Sequence, residues 1–371
     1  MKVLLWNRPN SREHPGGDTV QWEHTARELE RLGLDVSLSC EPDPALAPYD
    51  VVHLFNLQCS EVVLPVAEKA RAAGKRIALS TIWWDPIEAK YVSKRDKSHA
   101  LQWGERLWGS RLGVAGFRRW KLTRKRSRKT RQRVLRLLEL ADVLLPNSAG
   151  ERRVIERFFA TGDLSGKTVV VPNATTFADP GSGGEAGERS GLLCVGRIYP
   201  LKNQAGLIHA TIGLDAPLYL VGDFSNERYE RQCRALAAEH GRVEFLGRVP
   251  HDELPQLYRR VQAHVLPSFQ ETTGLVSLEA ATCGAAVVTT DRGPTDEYFG
   301  DEAYYLDPFQ PSSIRAACER ALNQPLSVSP ERLGRFTWEK AALATRQAYR
   351  WLDDPSTARP VDLEVDCARY R

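Results

Sequence analysis

The sequence predicts an α/β protein of two doubly wound domains, each built on a parallel sheet. Short β-branched, apolar runs alternate with longer helical patterns almost from end to end, as expected for parallel sheets buried on both faces. The chain has 371 residues, a length typical of two domains. Its twelve predicted strands are more than a single twisted open sheet usually contains, so we expect two sheets of about six strands each.

The predicted strands divide evenly between the two halves of the chain. In the stretch after the first strand, Trp22, Ala26 and Leu29 share one helix face and Gly33 ends the helix. The predicted strands cover 2–8, 35–40, 51–57, 76–83, 142–148 and 168–174 in the first half, and 191–198, 216–223, 243–249, 263–268, 286–291 and 303–308 in the second.

The domain boundary is predicted near the middle of the chain. Residues 174–191 are rich in Gly, Ser, Thr and Ala and carry no periodic apolar pattern, which is typical of a linker. We therefore expect one domain over 1–175 and a second over 190–335. A further helix is predicted over 338–352, and 353–371, with two prolines and little apolar surface, is predicted to be a frayed tail.

Composition indicates a soluble globular protein. Hydrophobic residues make up 42% and charged residues 26% of the chain, and no apolar run approaches the ~20 residues of a transmembrane helix. The apolar run at the N-terminus, VLLW, is too short for a signal peptide. Seven scattered cysteines without a C-x-x-C pair indicate reduced thiols and no zinc site. We therefore expect a cytoplasmic protein.

Basic residues are concentrated in one segment, which we expect to form a helix. Residues 118–136 contain eleven Lys or Arg, and no acidic residue lies between Glu105 and Glu139. Such a segment calls for an anionic partner. It could bind an anionic membrane surface peripherally, bind nucleic acid, or be a solvated face. Four aromatic residues near the cations suit lipid headgroups and a lipid-linked acceptor: Trp103, Trp108, Phe117 and Trp120.

The loop and helix at 269–291 carry the sharpest chemical signal. Neither G-x-G-x-x-G nor G-x-x-x-x-G-K-[ST] is present, which argues against an oxidoreductase and a P-loop phosphotransferase. Glu271 follows a predicted strand, where open α/β sheets bind ligands. A helix is predicted to begin near Gly274, and its unpaired N–H groups form an anion site that glycine leaves open to a phosphate.

Glu279 lies farther along this apolar helix, where a carboxylate must be paired. Eight helical residues separate it from Glu271, a spacing of ~12 Å. Glycosidase carboxyl pairs are only about 5–9.5 Å apart. The two glutamates are therefore predicted to serve different parts of one elongated ligand.

A second loop, at 196–204, follows the first strand of the second half. Arg197 and Lys202 lie five residues apart across Pro200 and can converge on one anion, Arg as a bidentate fork and Lys as a point charge. Together with the neighbouring anion site, these two cations predict that a phosphate group is bound here.

These segments together resemble the retaining, nucleotide-sugar-dependent glycosyltransferases of family 4, which have the GT-B fold. The resemblance covers most of 191–345, and the N-terminal half matches more loosely. It implies two Rossmann-like domains facing a cleft, with the nucleotide sugar on the C-terminal domain, the acceptor on the N-terminal domain, and the helix over 338–352 crossing back. The matching stretches are GR…LKN (196–203), LVGD (220–223), FLGRVPHDELPQLY (245–258), LPSFQETTGLVSLEA with its Glu-x7-Glu, AVVTTD (286–291), FTWEKAA (336–342) and, more loosely, PGGDT (15–19), DVVHLFNL, LLPNS and VVVPNA.

Carried over by position, the resemblance implies roles for the side chains singled out above. Glu271 would contact the hydroxyls of the donor sugar near its reacting carbon. Glu279 would accept hydrogen bonds from the ribose. Arg197 and Lys202 would hold the diphosphate.

The resemblance also implies roles for the backbone. The N–H groups of Thr273, Gly274 and Leu275 would help to bind the diphosphate. Gly16 and Gly17 would let the first N-terminal loop approach the donor phosphate and the acceptor.

One departure from the family pattern follows the fourth strand. Family members often carry a His-Asp-like pair there, whereas this chain has Trp84 where the histidine is expected. Asp85 remains, and it is predicted either to act in catalysis or to be a turn residue before proline. His53 and His99 are isolated, and an isolated histidine is more often structural.

The implied reaction transfers a hexose-type sugar from a nucleotide-diphosphate sugar to an acceptor hydroxyl with retention of configuration. We expect front-face attack, in which the departing phosphate oxygen takes the acceptor's proton, and no metal cofactor. The acceptor is expected to be a glycan or a lipid-linked glycan of a bacterial surface polysaccharide. The alternatives are a glycosyltransferase that acts on DNA bases through 118–136 and a non-catalytic sugar-nucleotide-binding protein.

Overall fold

The computed structural model describes residues 1–95, 98–122, 125–177 and 189–353, without the side chains of 99–100, 102, 104–108, 122 and 125–127. It contains two separate parallel sheets, so the predicted α/β class with two doubly wound domains is confirmed. Most of the predicted linker and of the predicted tail, 178–188 and 354–371, lies outside the described residues.

The first sheet has five parallel strands in the order β2-β1-β3-β4-β5. Its central strands are almost wholly buried because helices cover both faces. The elements of this domain are β1 (Lys2–Trp6), α1 (Gly17–Arg31), β2 (Asp35–Ser39), β3 (Val51–Phe55), α2 (Ser60–Ala72), β4 (Arg76–Ser80), α3 (Ile87–Arg95), α4 (His99–Leu122), α5 (Lys125–Leu140), β5 (Val143–Leu144) and α6 (Ala149–Phe159).

The predicted strand at 168–174 is wrong in extent. It is reduced to one bridge, between Leu144 and Thr168, although Val171 N still donates to the carbonyl of Pro146 over 2.8 Å. Pro146 and Pro172 have no N–H to donate, so a regular ladder cannot continue past β5.

The second sheet has six parallel strands in the order β11-β10-β9-β6-β7-β8. Its core forms where the buried faces of these strands meet α7, α8 and α12. The elements are β6 (Leu192–Val195), α7 (Gln204–Thr211), β7 (Leu218–Val221), α8 (Glu227–His240), β8 (Val243–Gly247), α9 (Leu254–Arg260), β9 (Ala263–Leu266), α10 (Leu275–Thr282), β10 (Ala286–Thr290), α11 (Thr295–Phe299), β11 (Tyr304–Leu306), α12 (Pro311–Asn323) and α13 (Pro330–Leu333).

The strand order reverses at an equivalent place in each sheet. The chain leaves β1 toward β2 on one side and returns to β3 on the other, and it leaves β6 toward β7 and returns to β9. The loops at the carboxyl ends of these strands splay apart around a crevice, which is where open α/β sheets bind ligands.

The last helix, α14 (Trp338–Asp353), crosses back to the first domain, as predicted. Its buried face includes Trp338 and Tyr349, which belong to the same apolar cluster as Trp22 and Leu29 of α1. The apolar faces of these two helices therefore pack against each other.

The basic segment 118–136 is helical in its described residues, which belong to the end of α4 and to α5. Whether it is one helix depends on residues 123–124, which lie outside the described residues. Helices α3 and α4, which lie between β4 and β5 in the chain, also reach the second domain, because Tyr91 and Phe117 pack in one cluster with Phe269. These two helices therefore bridge the two domains beside the cleft.

Candidate active site

A cleft of about 470 Å³ lies between the two domains. The carboxyl-end loops of both sheets line it, and we call the two sides the N-terminal wall and the C-terminal wall. The described residues of the N-terminal wall are Gly17, Asp18, Val20, Asn56, Gln58, Ile82 and Asn173, and those of the C-terminal wall are Lys202, His251, Leu254, Glu271, Thr272, Thr273, Gly274, Leu275, Val276 and Glu279.

The loop between β9 and α10 turns sharply at the position predicted for the helix start. Gly274 caps α10 with a φ of 73°, a left-handed conformation that favours glycine. A Cβ there would also lie 3.4 Å from Cδ2 of Leu266. The N–H groups of Leu275 and Val276, in the first turn, have no carbonyl partner within the helix. This end of α10 can therefore bind an anion.

Lys202 and Glu271 form an ion pair beside this helix start. Their loops follow β6 and β9, which are neighbours in the sheet, so the fold brings the two side chains together. Burial alone would lower the pKa of Lys202, but the Glu271 carboxylate raises that pKa above its ordinary value. Lys202 therefore keeps its charge inside the cleft.

Glu279 is the second buried carboxylate of the C-terminal wall. Its Oε1 lies 3.0 Å from Nε2 of His251, and its Oε2 accepts a hydrogen bond from the Tyr258 hydroxyl over 3.2 Å. The hydrogen bond with Glu279 raises the pKa of His251 above its ordinary value, although burial opposes the shift. Each carboxylate oxygen keeps a lone pair for a further donor, so Glu279 can still bind a ligand hydroxyl.

His251 has a role in the cleft that the sequence reasoning missed. Its ring stacks on Phe177, with the ring centroids 4.7 Å apart, and this contact holds the imidazole beside Glu279. Its position could have indicated this role, because His251 lies in the loop after β8, at the same carboxyl edge of the sheet as the loops of Lys202 and Glu271.

The N-terminal wall is organised around Asp18, which sequence reasoning also missed. Asp18 lies in the first turn of α1 and is buried. Arg8 Nε donates to its Oδ2 over 2.8 Å, and Asn56 Nδ2 donates to the same oxygen over 3.1 Å. Hydrogen bonding to Asp18 raises the pKa of Arg8. Asn56 has a φ of 79°, which is uncommon outside glycine and clusters at functional sites.

The two walls touch at the predicted glycine loop. Gly16 caps α1 and Gly17 begins it. A Cβ at Gly17 would lie 3.7 Å from Cδ1 of Leu275, so the start of α1 faces the start of α10. Asn173 Nδ2 donates to Oγ1 of Thr273 over 3.1 Å. The structure therefore brings the loop of Gly16 and Gly17 close to the predicted diphosphate site.

Two predicted catalytic residues are not among the described lining residues. Arg197 is exposed in the loop after β6. Asp85 lies before α3, where its Oδ1 accepts from Ile87 N over 2.9 Å and its Oδ2 accepts from Arg118 Nη2 over 2.5 Å. These contacts correspond to the turn role considered for Asp85. The catalytic roles of both residues stay predictions.

The isolated histidines lie elsewhere. His53 is buried in β3, with its ring nitrogens 2.6 Å from the Tyr349 hydroxyl and 2.9 Å from Ser80 Oγ, and burial lowers its pKa to about 3. It therefore acts as a neutral core residue that helps to hold α14. Trp84 is half-buried, and the side chain of His99 lies outside the described residues.

A further contact, which we call the interdomain clasp, joins the domains beside the cleft. Glu297 of α11 is buried and accepts hydrogen bonds from the backbone N–H groups of Ala149, over 2.8 Å, and Gly150 at the start of α6. A Cβ at Gly150 would lie 2.6 Å from Oε1 of Glu297. The neighbouring Tyr298 hydroxyl accepts from Asn173 N over 3.0 Å. The clasp therefore fixes how the two walls face each other.

Among the described residues, no group of three or more His, Cys, Asp or Glu is arranged to hold a metal ion. No helix among the described elements has the length and apolarity needed to cross a membrane. The expectation that no metal cofactor is needed stays a prediction.

Two parallel α/β domains around one cleft, with the last helix crossing back, define the GT-B fold. Sucrose-phosphate synthase from Thermosynechococcus elongatus superposes with a TM-score of 0.71 at 18% identity, over 96% of this chain and 100% of that chain. HepE from Anabaena, in complex with UDP, gives a TM-score of 0.66 at 15% identity, over 95% of this chain and 100% of that chain. At these identities the likeness establishes the fold.

The second domain also matches a known family in sequence. Residues 177–338 match the family described as "Glycosyl transferases group 1". O-antigen chain mannosyltransferase B of Escherichia coli is 31% identical over 178 residues, which cover 43% of this chain and 45% of that protein. D-inositol 3-phosphate glycosyltransferase of Acidothermus cellulolyticus is 27% identical over 384 residues, which cover 90% of this chain and 85% of that protein. The chain thus spans less than half the length of the first relative and most of the second.

Proposed function

We propose that the protein is a retaining glycosyltransferase that moves a sugar from a nucleotide-diphosphate sugar to an acceptor hydroxyl. The observation that carries this proposal is the C-terminal wall. There the Lys202–Glu271 pair and the Glu279–His251 pair flank the N-terminus of α10. A nucleotide-diphosphate sugar carries its diphosphate between the sugar and the ribose, which both bear hydroxyls. Along this wall the N-terminus of α10 likewise lies between the two carboxylate pairs, so the order of groups is the same.

Lys202 and the first turn of α10 are proposed to stabilise the leaving group. As the bond between the anomeric carbon and the phosphate oxygen breaks, negative charge grows on the diphosphate. A fixed donor aimed at such charge contributes about 3 kcal/mol, or ~10² in rate. Arg197 is proposed to reach the same diphosphate from the loop after β6. Because side chains and backbone meet this charge, we propose that no metal cofactor is needed.

The two carboxylates of this wall are proposed to bind hydroxyls. Glu271 is ion-paired with Lys202, which makes it a poor nucleophile, so we assign it to the hydroxyls of the donor sugar. Glu279, eight residues farther along, is assigned to the ribose. The acceptor oxygen would then attack C1 from the face that the diphosphate leaves. Its proton passes to the departing phosphate oxygen, and the configuration is retained.

The relatives support a narrower version of the proposal. One is a mannosyltransferase of O-antigen synthesis by name, and one solved structure with this fold is described in complex with UDP. We therefore propose a hexose donor and a glycan or lipid-linked acceptor in bacterial surface polysaccharide synthesis.

A thermal-shift panel of UDP-, GDP-, ADP-, CMP- and dTDP-sugars tests the proposed function directly. A true donor at about 100 times its Kd should stabilise the chain by ~2.7 kcal/mol. That donor should then release its nucleoside diphosphate when incubated with a mixture of glycan acceptors. If no nucleotide sugar raises the melting temperature and no nucleotide is released, the proposal fails.

We further propose that α4 and α5 bring the enzyme to an anionic membrane surface. Trp103, Leu112 and Trp120 of α4 are exposed apolar side chains, Trp103 and Leu112 at 64% each, and Arg128 and Lys129 of α5 are exposed cations. Apolar anchors beside cations favour the interface of an anionic bilayer.

Flotation with liposomes tests this membrane role. The chain should float with phosphatidylglycerol-rich vesicles, should remain behind with phosphatidylcholine vesicles, and should lose binding when Trp103 and Trp120 are replaced by serine. Absence of flotation together with salt-sensitive binding to DNA would instead support the nucleic-acid interpretation of 118–136.

A further inference from the structure

The N-terminal wall of the cleft carries uncharged hydrogen-bonding groups. Among its described lining residues, Asn56, Gln58 and Asn173 present carboxamides, and Asp18 is the single ionisable side chain. This composition differs from that of the C-terminal wall, which presents Lys202 and two glutamates.

The charge of Asp18 is already neutralised by Arg8, which is itself fully engaged. Besides its two contacts with Asp18, Arg8 donates from Nη1 to Asn10 Oδ1 and from Nη2 to the His14 carbonyl, each over 2.8 Å. Its side chain is 14% exposed. All three guanidinium nitrogens therefore have partners, and Arg8 is not available to bind an anion without giving up existing hydrogen bonds.

The carboxamides retain unused hydrogen-bonding capacity. Asn173 is 4% exposed and lines the cleft, yet its Oδ1 has no protein partner, whereas its Nδ2 donates to Thr273. Behind it, Gln21 Nε2 donates to Asn147 Oδ1 over 2.9 Å, while Gln21 Oε1 and Asn147 Nδ2 have no protein partner. Buried polar groups are usually paired, so an unpaired group at a cleft points to a ligand.

We infer that the sugar unit accepting the transfer is a neutral polyol, which offers hydroxyls and no phosphate or carboxylate to the N-terminal wall. The inference rests on the proposed glycosyl transfer and names the acceptor class. A carboxamide and a hydroxyl can each donate and accept, so a row of carboxamides matches a row of hydroxyls.

A phosphorylated acceptor fits this wall poorly. A phosphate offers acceptor oxygens and negative charge, and it would approach the carboxylates of Asp18 and Glu271. Like charges placed together in an interface are costly. Arg8 is tied to Asp18, and the cation of the opposite wall, Lys202, is tied to Glu271.

Matched acceptor pairs test the inference in binding and in transfer. The full chain, saturated with the nucleotide that the thermal-shift panel selects, is titrated with octyl mannoside, octyl glucoside and octyl galactoside and with the 6-phosphate of each. Ligand-observed NMR gives the Kd, and mass spectrometry detects a product heavier by one sugar. We expect at least one neutral member to bind ~10-fold or more tightly than its phosphate, a difference of about 1.4 kcal/mol, and to be the better acceptor.

The outcomes separate this inference from the proposed function. Equal or tighter binding of the phosphorylated members, or no binding of any neutral member, overturns the inference. If nucleotide sugars bind and are turned over all the same, the proposed function stands. If no nucleotide sugar binds or reacts, the proposed function itself fails.

Two variants place the effect on the N-terminal wall. Asn173→Asp adds a carboxylate and should weaken neutral acceptor binding by ~10-fold, whereas Asn226→Asp, at the exposed cap of α8, should change nothing because Asp also caps helices. Asp18→Asn releases Arg8 and should tighten binding of the 6-phosphates. If Asn173→Asp behaves like its control and Asp18→Asn leaves phosphate binding unchanged, this wall does not take the acceptor.

Discussion

The two walls of the cleft use opposite chemistry. The C-terminal wall holds two buried carboxylates, each paired with a basic side chain that faces the same space, Lys202 or His251. The N-terminal wall holds one carboxylate, neutralised by Arg8, and is otherwise lined by carboxamides, glycine and apolar side chains. Both walls lie at the carboxyl ends of parallel strands, so the fold alone does not account for the difference.

The contrast shows how one fold can divide the work of a two-substrate reaction. A nucleotide-diphosphate sugar brings a charged diphosphate, which cations and a helix N-terminus can bind. A sugar acceptor brings hydroxyls, which neutral donors and acceptors bind without a net charge. Under the proposed reaction, the difference in side chains assigns one substrate to each wall.

Lys202→Ala should give the largest effect. It removes the half-buried lysine of the C-terminal wall, and we expect turnover to fall by at least ~10². Arg197→Ala, measured beside it, should act in the same direction if Arg197 reaches the diphosphate. Steady-state kinetics at saturating donor checks both variants. If Lys202→Ala turns over near the wild-type rate, Lys202 does not stabilise the leaving diphosphate. The same result for Arg197→Ala would show that this exposed arginine does not reach the diphosphate.

Gly150→Ala should disturb the way in which the walls face each other. The added methyl group would meet Glu297 in the interdomain clasp, and overpacking of this kind costs about 1–3 kcal/mol. Chemical denaturation and turnover are compared with Gly166→Ala, because a Cβ at Gly166 meets no atom within 4 Å. Matching stability and turnover in the two variants would show that the clasp does not constrain the cleft.

The Glu279–His251 pair should make donor binding depend on pH. The hydrogen bond with Glu279 raises the pKa of His251 above its ordinary value of 6.5. The charged pair is therefore fully formed below pH 6.5 and is lost as the pH rises through the raised pKa of His251. The donor KM should therefore rise with pH in the wild type, and the dependence should flatten in His251→Asn. An unchanged pH profile in the variant would contradict this role for the pair.

Chelation should have the smallest effect. If Lys202 and the start of α10 meet the diphosphate charge, EDTA should leave turnover unchanged in an assay with an identified donor. Loss of activity that manganese restores would show instead that the C-terminal wall works with a metal ion.

Most of the fold could be predicted from the sequence, because the patterns that indicate strands and helices are local. Apolar runs and the faces of α1 and α14 are patterns within short windows, and they specified the sheets and the crossing helix. The predicted extent of 168–174 was wrong, because it depends on hydrogen bonds that Pro146 cannot make.

The C-terminal wall was more predictable than the N-terminal wall for the same reason. Glu271, Gly274 and Glu279 lie within nine residues of one another, so one motif marked them. Asp18 draws its partners Arg8 and Asn56 from two loops, and Glu297 meets Gly150 across 147 positions. Such contacts require the assembled fold, and no spacing in the sequence indicates them.

Kinetics of Glu279→Gln and Asn173→Asp, with donor and acceptor varied in turn, test the division of the cleft most directly. We predict that Glu279→Gln raises the donor KM more than it lowers kcat and leaves the acceptor KM near wild type, because the ribose does not change during the reaction. Asn173→Asp should raise the acceptor KM and leave the donor KM near wild type. If both variants raise the same KM, or if the two effects are exchanged, the assignment of one substrate to each wall is contradicted.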